Sequence, residues 1–323
     1  MKIFITRVIP SLGIEMLEAE GYEVIINLED RVLSKEELII ALTGSGFDAV
    51  LCLLTDKIDA EVLFAAGPQC KIFANYAVGI DNIDMKAAAE KNIIVTNTPG
   101  VLTDSVAEHA FALVLSIAHR IPESDRFTRA GNYHGWEPIL LLGSDVSKKT
   151  LGIVGLGRIG LRVAHHALRG FDMRVLYYDV KRNEEFEREF QAEFRASADD
   201  IFREADFISI HVPLLPTTRH LVNAERLALM KKTAYLINTS RGPIVDEAAL
   251  VEALKNNIIK GAALDVFENE PALAPGLTAL ENVVLTPHTA SATEETRQAM
   301  SRVAAENIIA ALEGKEPPNR VKI

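Results

Sequence analysis

Three glycines at a fixed spacing connect an apolar segment to an amphipathic one near the middle of the chain. The apolar run begins at Leu151, the turn is Gly155–Gly160 (sequence GLGRIG), and a helical pattern then continues to Leu168. A strand that turns directly into a helix in this way begins a βαβ unit, whose two strands are parallel. Because a parallel sheet needs helices on both faces, the motif restricts the chain to the α/β class.

Strand and helix patterns alternate on both sides of this turn. Short apolar strands are predicted at Lys2–Thr6, Glu23–Ile26, Ala49–Leu53, Lys71–Ala74, Leu151–Gly155, Arg174–Tyr178, Phe207–His211, Ala234–Asn238, Gly261–Asp265 and Val283–Thr286. Helices are predicted between most of them, among them Ser11–Glu20, Ser34–Leu42, Asp59–Ala66, Thr103–Arg120 and Thr293–Leu312. Because 323 residues exceed the size at which a single core stops growing, the two series predict two α/β domains.

Two segments interrupt this alternation. Asn97–Gly100 is a break that precedes a long apolar helix, and Ile121 and Pro122 are expected to end that helix. The segment Gly131–Gly143 is irregular and contains Trp136, the only tryptophan of the chain. We expect this segment to be an arm that its own domain does not bury.

Charge and cysteine usage exclude several kinds of partner. The formal net charge is −11, which disfavours binding to nucleic acid phosphates and to anionic membranes. Cys52 and Cys70 lie in apolar, strand-like surroundings, so neither a disulfide framework nor a thiolate metal site is expected. No apolar run is long enough for a signal peptide or a membrane span. We therefore expect a cytoplasmic protein without a metal site, without nucleic acid and without a membrane partner.

The spacing of the three glycines is the spacing that binding of a dinucleotide requires. Gly155 permits a tight turn, Gly157 lets the backbone approach a pyrophosphate, and Gly160 lets the helix pack closely on the strand. The N-terminus of the following helix then presents free N–H groups and about half a positive charge to the phosphates. The motif therefore predicts a nicotinamide dinucleotide as cofactor.

An acidic residue at the end of the next strand predicts which dinucleotide is preferred. Asp179 follows Gly160 by 19 residues, where a carboxylate accepts hydrogen bonds from the adenosine ribose. The same carboxylate repels the 2′-phosphate of NADP, so NAD is the expected cofactor. Lys181 and Arg182 follow directly, and they would accommodate a 2′-phosphate if Asp179 turned away. Use of NADP as a secondary cofactor therefore stays open.

Polar residues follow three consecutive strands in the second half of the chain. Arg241, Glu270 and His288 each come shortly after a predicted strand ends. Ligands of open α/β sheets bind outside the carboxyl ends of the strands, so these three side chains are able to share one site.

Their chemistry fits the reduction of a 2-oxo acid. The planar guanidinium of Arg241 suits a carboxylate and a carbonyl oxygen, and His288 suits proton transfer near neutral pH. Glu270 suits a partner that orients the imidazole and stabilises its charged form.

These residues and several further segments closely resemble the D-isomer-specific 2-hydroxyacid dehydrogenase family over nearly the whole chain. The matching segments are Asn75–Asp84, Thr103–His109, the glycine turn, Thr239–Gly242, Asp265–Glu270 and Thr286–His288. The resemblance implies an α/β fold of two Rossmann-like, doubly wound parallel-sheet domains. A discontinuous, flavodoxin-like substrate domain would comprise residues 1–98 and 287–323, and the dinucleotide-binding domain residues 99–286. We also predict a homodimer with Gly131–Gly143 at or near the interface, because the domain that carries this apolar, irregular segment need not bury it.

The resemblance assigns roles to individual positions. Arg241, Glu270 and His288 are the implied catalytic residues. The implied cofactor contacts are Thr103, Gly155, Gly157, Arg158, Ile159, Gly160, Asp179, Val212, Pro213, Thr218, Thr239, Ser240, Arg241, Asp265, His288 and Ala290. The implied substrate contacts are Leu53, Val78, Gly79, Arg241 and His288.

The substrate is less closely defined by the resemblance. The segments Gly135–Pro138 and Leu51–Asp59 are most similar to glyoxylate/hydroxypyruvate reductases within the family. Enzymes similar to D-lactate dehydrogenase or D-3-phosphoglycerate dehydrogenase are the alternatives within catalysis. An NAD(H)-sensing, corepressor-like binding protein is the alternative outside it.

Overall fold

The structure is a computed structural model that describes residues 1–322, and this part of the chain contains twelve strands and twelve α-helices. The strands are β1 (Lys2–Ile5), β2 (Glu23–Ile26), β3 (Ala49–Leu53), β4 (Ile72–Tyr76), β5 (Ile94–Thr96), β6 (Thr150–Val154), β7 (Arg174–Tyr178), β8 (Glu193–Phe194), β9 (Phe207–Ile210), β10 (Tyr235–Asn238), β11 (Gly261–Leu264) and β12 (Val283–Leu285). The helices are α1 (Ser11–Ala19), α2 (Lys35–Leu42), α3 (Ala60–Ala65), α4 (Met85–Glu90), α5 (Thr103–Ala118), α6 (Ile121–Arg129), α7 (Arg158–Phe171), α8 (Glu184–Phe190), α9 (Ala198–Glu204), α10 (Ala224–Leu229), α11 (Glu247–Lys255) and α12 (Glu294–Leu312).

These elements form two compact units. The first unit is Met1–Leu102 together with the chain from Ala292 onward, and the second is Thr103–Ser291. Each unit contains one sheet, with the strand order β2-β1-β3-β4-β5 in the first and β12-β11-β10-β9-β6-β7-β8 in the second. All strand pairs within these two sheets are parallel, which confirms the predicted α/β class.

The first unit is built from both ends of the chain because α12 packs on α1 and on β4. The backbone N–H of Gly13 donates to Ser301 Oγ at 2.9 Å, and this hydroxyl donates to the carbonyl of Pro10 at 2.7 Å. A methyl group on Gly13 would overlap the carbonyl oxygen of Ser301, so the two helices meet backbone to backbone. Tyr76, the last residue of β4, also donates its hydroxyl proton to the carbonyl of Arg297.

Side-chain caps define where several helices begin. Ser34 accepts from the backbone of Glu37 while Glu37 accepts from the backbone of Ser34, which is the capping box expected for α2. Asp59 caps α3 and Thr293 caps α12 with the side chain alone, which accepts from backbone N–H groups of the first turn. Each of these predicted helix starts therefore lies one residue before the observed helix, because a cap residue is not itself helical.

The pattern predicts that the long helix continues to Arg120 and ends at Ile121 and Pro122, whereas these two residues begin the next helix. Helix α5 ends at Ala118, and α6 begins at Ile121 after Arg120 adopts a left-handed backbone (φ 54°). Pro122 lies in the first turn of α6, where its missing N–H has no intrahelical partner to lose. The sequence pattern also misses β5 and β8, because strands of two or three residues show too little alternation.

The carboxyl edge of the second sheet contains the point at which strand order reverses. The chain passes from β6 to β7 on one side and returns to the other side of β6 at β9. Open α/β sheets bind ligands at such a point, outside the carboxyl ends of the strands. The segment Gly155–Gly160 follows β6 here, and His211 follows β9.

Both cysteines lie in the buried interior of the first unit. Cys52 and Cys70 are free and buried, and burial raises the pKa of Cys70 to about 12. Within residues 1–322, no three His, Cys, Asp or Glu side chains are arranged to hold a metal ion. Over the same residues, every helix is too short or too polar to span a bilayer.

Candidate active site

The glycine turn of the second unit has the geometry that the sequence predicts. Gly155 adopts a left-handed backbone (φ 97°), and a Cβ there would lie 2.8 Å from the carbonyl carbon of His211. A Cβ on Gly160 would overlap the carbonyl oxygen of Gly155, so helix α7 packs directly on the turn. Only glycine satisfies both positions without displacing backbone.

The same turn leaves room for a ligand at the start of α7. A Cβ on Gly157 would meet no atom within 4 Å, so this backbone borders open space. Gly157 is the N-cap of α7 but supplies no side-chain cap, and Arg158, Ile159 and Gly160 form the first turn. Uncapped N–H groups beside open space fit a phosphate-bearing group such as the pyrophosphate of a dinucleotide.

The carboxylate of Asp179 is bound to the glycine turn. Its Oδ2 accepts from the backbone N–H of Leu156 at 2.7 Å, and its Oδ1 accepts from the backbone N–H of Lys181 at 3.2 Å. Asp179 therefore does not turn away from the position that the sequence predicts. Two backbone donors hold it beside the turn, at the carboxyl end of β7.

His288 and Glu270 form a hydrogen-bonded pair. Nδ1 of His288 lies 3.0 Å from Oε2 of Glu270, and Oε1 of Glu270 accepts from the backbone N–H of Phe267 at 2.9 Å. Burial raises the pKa of Glu270, but the hydrogen bond and charge of His288 outweigh that effect and hold it below its ordinary value. The pair therefore keeps a carboxylate against the imidazole at neutral pH.

Arg241 is brought to Glu270 by contact between two loops. A Cβ on Gly242 would overlap the carbonyl group of Phe267, so the backbone that follows Arg241 lies against the loop of Glu270. The charge of Arg241 is one of the causes that lower the pKa of Glu270. The backbone of Arg241 is held by Asn238, whose side-chain amide donates to the Arg241 carbonyl at 2.9 Å. The predicted trio therefore does lie at one edge of the second sheet.

A fully buried carboxylate holds the loop that carries His288. Asp265 accepts from the hydroxyl of Thr286 at 2.6 Å and from the backbone N–H groups of Thr289 and Ala290 at 2.8 Å each. The carbonyl of Asp265 also accepts from the backbone N–H of His288 at 2.8 Å. This bond supports the left-handed backbone (φ 55°) of His288, which is uncommon for a residue other than glycine.

Burial raises the pKa of Asp265, but hydrogen bonds from His109, Thr286 and the loop backbone outweigh it and lower the pKa overall. His109 lies on α5, with Nε2 3.1 Å from the hydroxyl of Thr286 and 3.4 Å from Asp265. Asp265 is therefore an ionised, buried group that holds the loop of His288 in place. The sequence gives His109 no role, although a histidine within an apolar helix is a signal that it faces a polar partner.

Two further carboxylates, Glu247 and Glu268, hold the loop of Glu270. Glu247, the first residue of α11, accepts from the backbone N–H groups of Glu268 at 2.8 Å and Ala274 at 3.3 Å. Glu268 in turn accepts from the ring of His220 at 2.6 Å and from the backbone of Glu247 at 3.4 Å. Burial raises the pKa of Glu247. The sequence does not reveal the contact between Glu247 and Glu268, because the two residues are 21 positions apart.

The remaining predicted cofactor residues of the second unit lie along the same carboxyl edge. Thr103 begins α5, and the loop Val212–Thr218 after β9 is closed by Thr218, whose hydroxyl donates to Pro213 at 2.6 Å. Ser240 donates its hydroxyl proton to the carbonyl of Val212. The hydroxyl of Thr239 is buried without a hydrogen-bond partner among the described residues, which is a further position where a bound group fits.

The predicted substrate residues Leu53, Val78 and Gly79 lie at the carboxyl edge of the sheet of the first unit. Leu53 ends β3 beside Tyr76, and Val78 and Gly79 follow β4. The side chain of Asn75 donates to the carbonyl of Gly79 at 2.8 Å and to Asn82 at 3.1 Å. This amide pair, which the sequence does not reveal, fixes the shape of the loop.

The chain is similar to known proteins over nearly its whole length. A family model described as the NAD binding domain of D-isomer specific 2-hydroxyacid dehydrogenases matches residues 111–290. A protein from Korarchaeum cryptofilum named glyoxylate reductase is 49% identical over 323 residues, covering 99% of this chain and 95% of that protein.

Solved structures are similar over the same extent. A protein from Thermus thermophilus aligns with a TM-score of 0.92 at 43% identity and covers 100% of both chains. An NADPH-dependent glyoxylate/hydroxypyruvate reductase from Sinorhizobium meliloti, in complex with NADP and malonate, aligns with a TM-score of 0.87 at 32% identity. That alignment covers 99% of this chain and 96% of the other.

Replacing Asp265 by asparagine tests its role in holding the loop of His288. An amide nitrogen cannot accept from the backbone, so Asp265→Asn should lower the free energy of unfolding by about 1–3 kcal/mol at pH 7. Because the folded-state pKa of Asp265 is lowered, the wild type loses this contribution as the pH falls from about 4 through the folded-state pKa. Urea unfolding at pH 7 and below pH 4 measures both effects. Asp145→Asn, at an exposed position, is the control, and equal unfolding of both variants would contradict the role.

Proposed function

The chain belongs to the D-isomer specific 2-hydroxyacid dehydrogenase family and is an NAD(P)-dependent oxidoreductase, and on this premise we propose that it reduces glyoxylate or hydroxypyruvate. The observation that carries the proposal is the His288–Glu270 pair at 3.0 Å, on the same sheet edge as Arg241 and the glycine turn. Relatives named glyoxylate reductase at 49% identity support the choice of a small 2-oxo acid.

Each residue of the trio has a separate task in this proposal. Arg241 binds the carboxylate of the substrate and polarises its carbonyl oxygen. His288 donates the proton that converts this oxygen to a hydroxyl, and since Nδ1 is bound to Glu270, the proton leaves from Nε2. Glu270 orients the ring and stabilises its charged form. The nicotinamide, when bound, supplies the hydride that is added to C2.

The two compact units have different tasks in this proposal. We infer that the second unit holds the dinucleotide through the glycine turn and Asp179, and that the first unit contributes Leu53, Val78 and Gly79 to substrate selection. Asp179 favours NADH, because a carboxylate accepts from a 2′-hydroxyl and repels a 2′-phosphate. We propose a cytoplasmic location, which the two free cysteines support because disulfides are rare in the cytosol.

Steady-state oxidation of NADH with four substrates tests the proposal as a whole. Glyoxylate and hydroxypyruvate should be turned over more efficiently than pyruvate and phosphohydroxypyruvate. Preference for pyruvate or for phosphohydroxypyruvate would favour the alternatives similar to D-lactate or D-3-phosphoglycerate dehydrogenase. Only feeble turnover of all four, with intact NADH binding, would favour a corepressor-like binding protein.

Replacing Arg241 by lysine should lower kcat/KM for glyoxylate by more than about tenfold, or about 1.4 kcal/mol of transition-state stabilisation. An ammonium group keeps the charge but cannot form two parallel bonds to a carboxylate and a carbonyl. Arg203→Lys, at a surface ion pair on α9, is the matched control and should retain activity. Near wild-type kcat/KM in Arg241→Lys would remove Arg241 from the substrate site.

Replacing Glu270 by glutamine should shift the pH dependence of reduction. Reduction requires protonated His288, and a neutral amide no longer stabilises that charge, so activity should be lost at a lower pH than in the wild type. Oxidation of the hydroxy acid, which requires the neutral ring, should reach its plateau at a lower pH. Profiles of kcat/KM against pH in both directions measure this. An unchanged reduction profile would show that Glu270 does not act through His288.

We also propose that the protein is a homodimer in which the arm Gly131–Gly143 contributes to the interface. Trp136 is 83% exposed, and Ile139 and Leu142 of the same arm are also exposed. A cluster of exposed apolar side chains on an irregular segment is typical of an interaction site.

Light scattering at micromolar concentration should therefore give twice the chain mass of 35.4 kDa. Trp136→Ser combined with Ile139→Ser should shift the protein toward the monomer, whereas Leu28→Ser, at an exposed apolar position outside the arm, should not. A wild-type monomer, or a dimer that the double variant leaves intact, would contradict the assignment.

A further inference from the structure

Arg182, the arginine closest to Asp179 in sequence, is already bound by a carboxylate. Nε of Arg182 lies 2.8 Å from Oε1 of Glu187, and Nη2 lies 2.7 Å from Oε2, so the pair is bidentate. The guanidinium also lies 5.7 Å from the centre of the Phe194 ring. The Nε–Nη2 edge of the guanidinium, which is suited to bidentate binding of a phosphate, is therefore occupied by Glu187.

Glu187 is itself held in place from a second direction. The buried Tyr177 donates its hydroxyl proton to Oε1 of Glu187 at 2.6 Å, and the same hydroxyl accepts from the backbone N–H of Asn183 at 2.8 Å. The bonds from Arg182 and Tyr177 lower the pKa of Glu187 to about 2. Because Asn183 caps α8, the carboxylate is anchored to the start of that helix rather than carried on a mobile side chain.

This network is close in sequence to Asp179, the carboxylate that we propose binds the adenosine ribose. Arg182 is three residues from Asp179, and Tyr177 and Asp179 flank the end of the same strand, β7. A 2′-phosphate at the ribose would carry nearly two negative charges, and the guanidinium of an arginine is the group best suited to bind it. One donor edge cannot serve the carboxylate of Glu187 and a phosphate at once.

We propose that Glu187 is a specificity-determining residue for the cofactor, because it holds Arg182 away from the 2′-phosphate of NADP. The inference rests on the proposed binding of the dinucleotide at the glycine turn. Asp179 excludes the phosphate by repulsion, and Glu187 removes the cation that would offset this repulsion. The two acids therefore act on the same phosphate through different groups.

Removal of the charge on Glu187 should release Arg182. Glu187→Gln keeps an oxygen that accepts from Tyr177 but loses the ionic bond to Arg182, so kcat/KM with NADPH should rise about fivefold while kcat/KM with NADH changes less than twofold. Glu189→Gln makes the same charge change two residues further along α8 and should leave both values unchanged. An equal rise in Glu189→Gln would show that only the net charge of the surface matters.

Arg182 must be the residue through which this gain arises. Arg182→Ala added to Glu187→Gln should abolish the gain with NADPH. In the otherwise wild-type protein, Arg182→Ala should change the ratio of NADPH to NADH use by less than twofold, because Glu187 already holds the guanidinium. A marked fall in NADPH use in that single variant would overturn the inference. This test leaves Glu187 unchanged.

Calorimetric titration provides a readout that does not depend on turnover. Adenosine 2′,5′-bisphosphate should bind Glu187→Gln about fivefold more tightly than the wild type, and 5′-AMP should bind both proteins equally. If 5′-AMP and NADH fail to bind the wild type, the proposed cofactor site is wrong. If both bind normally and the bisphosphate does not distinguish the two proteins, the role of Glu187 alone is wrong.

Discussion

Parallel pairing of the strands is the constraint on which the rest of this molecule depends. In a parallel sheet every strand ends at the same edge, so side chains that follow β6, β7, β10, β11 and β12 gather there although they span more than a hundred residues of sequence. The glycine turn, Asp179, Arg241, Glu270 and His288 all occupy positions of this kind. The direct contact of Gly242 with the carbonyl of Phe267 shows how closely neighbouring loops pack at this edge.

Three carboxylates that are close in sequence differ in task because their surroundings differ. Asp265 is fully buried, and hydrogen bonds from His109, Thr286 and the loop backbone outweigh the effect of burial and keep its pKa low. Glu268 binds the ring of His220 and the start of α11, which holds the loop in place. Glu270 is the member that contacts His288. Two of the three acids therefore stabilise loops, and this support lets the third meet the imidazole at a defined distance.

The carboxyl edge of the second unit's sheet shows the same division between contact and support near Asp179. Asp179 is held by two backbone N–H groups, and Arg182 is held by Glu187, which is anchored in turn by Tyr177. A solved structure at 32% identity is described as NADPH-dependent, so the fold accommodates NADPH in that relative. In the proposed scheme, residues that do not contact the ribose also affect the choice of cofactor, because they decide which charged groups are available to a 2′-phosphate.

The sequence by itself determined the α/β class, the strand–turn–helix at Gly155, and the types of residue that follow strands β10, β11 and β12. These features are local. Glycine spacing, alternation of apolar residues and caps such as Ser34 act over a few residues, so they can be recognised in the sequence alone. The tertiary structure alone decided that Asp265 holds the loop of His288, that Glu247 braces Glu268, and that Glu187 occupies Arg182. It also decided that α6 begins at Ile121, where the backbone of Arg120 turns left-handed and the proline falls in a first turn. These are choices between partners of similar chemistry, and only the packing of the strands and helices brings one partner within hydrogen-bonding distance and leaves the others out of reach.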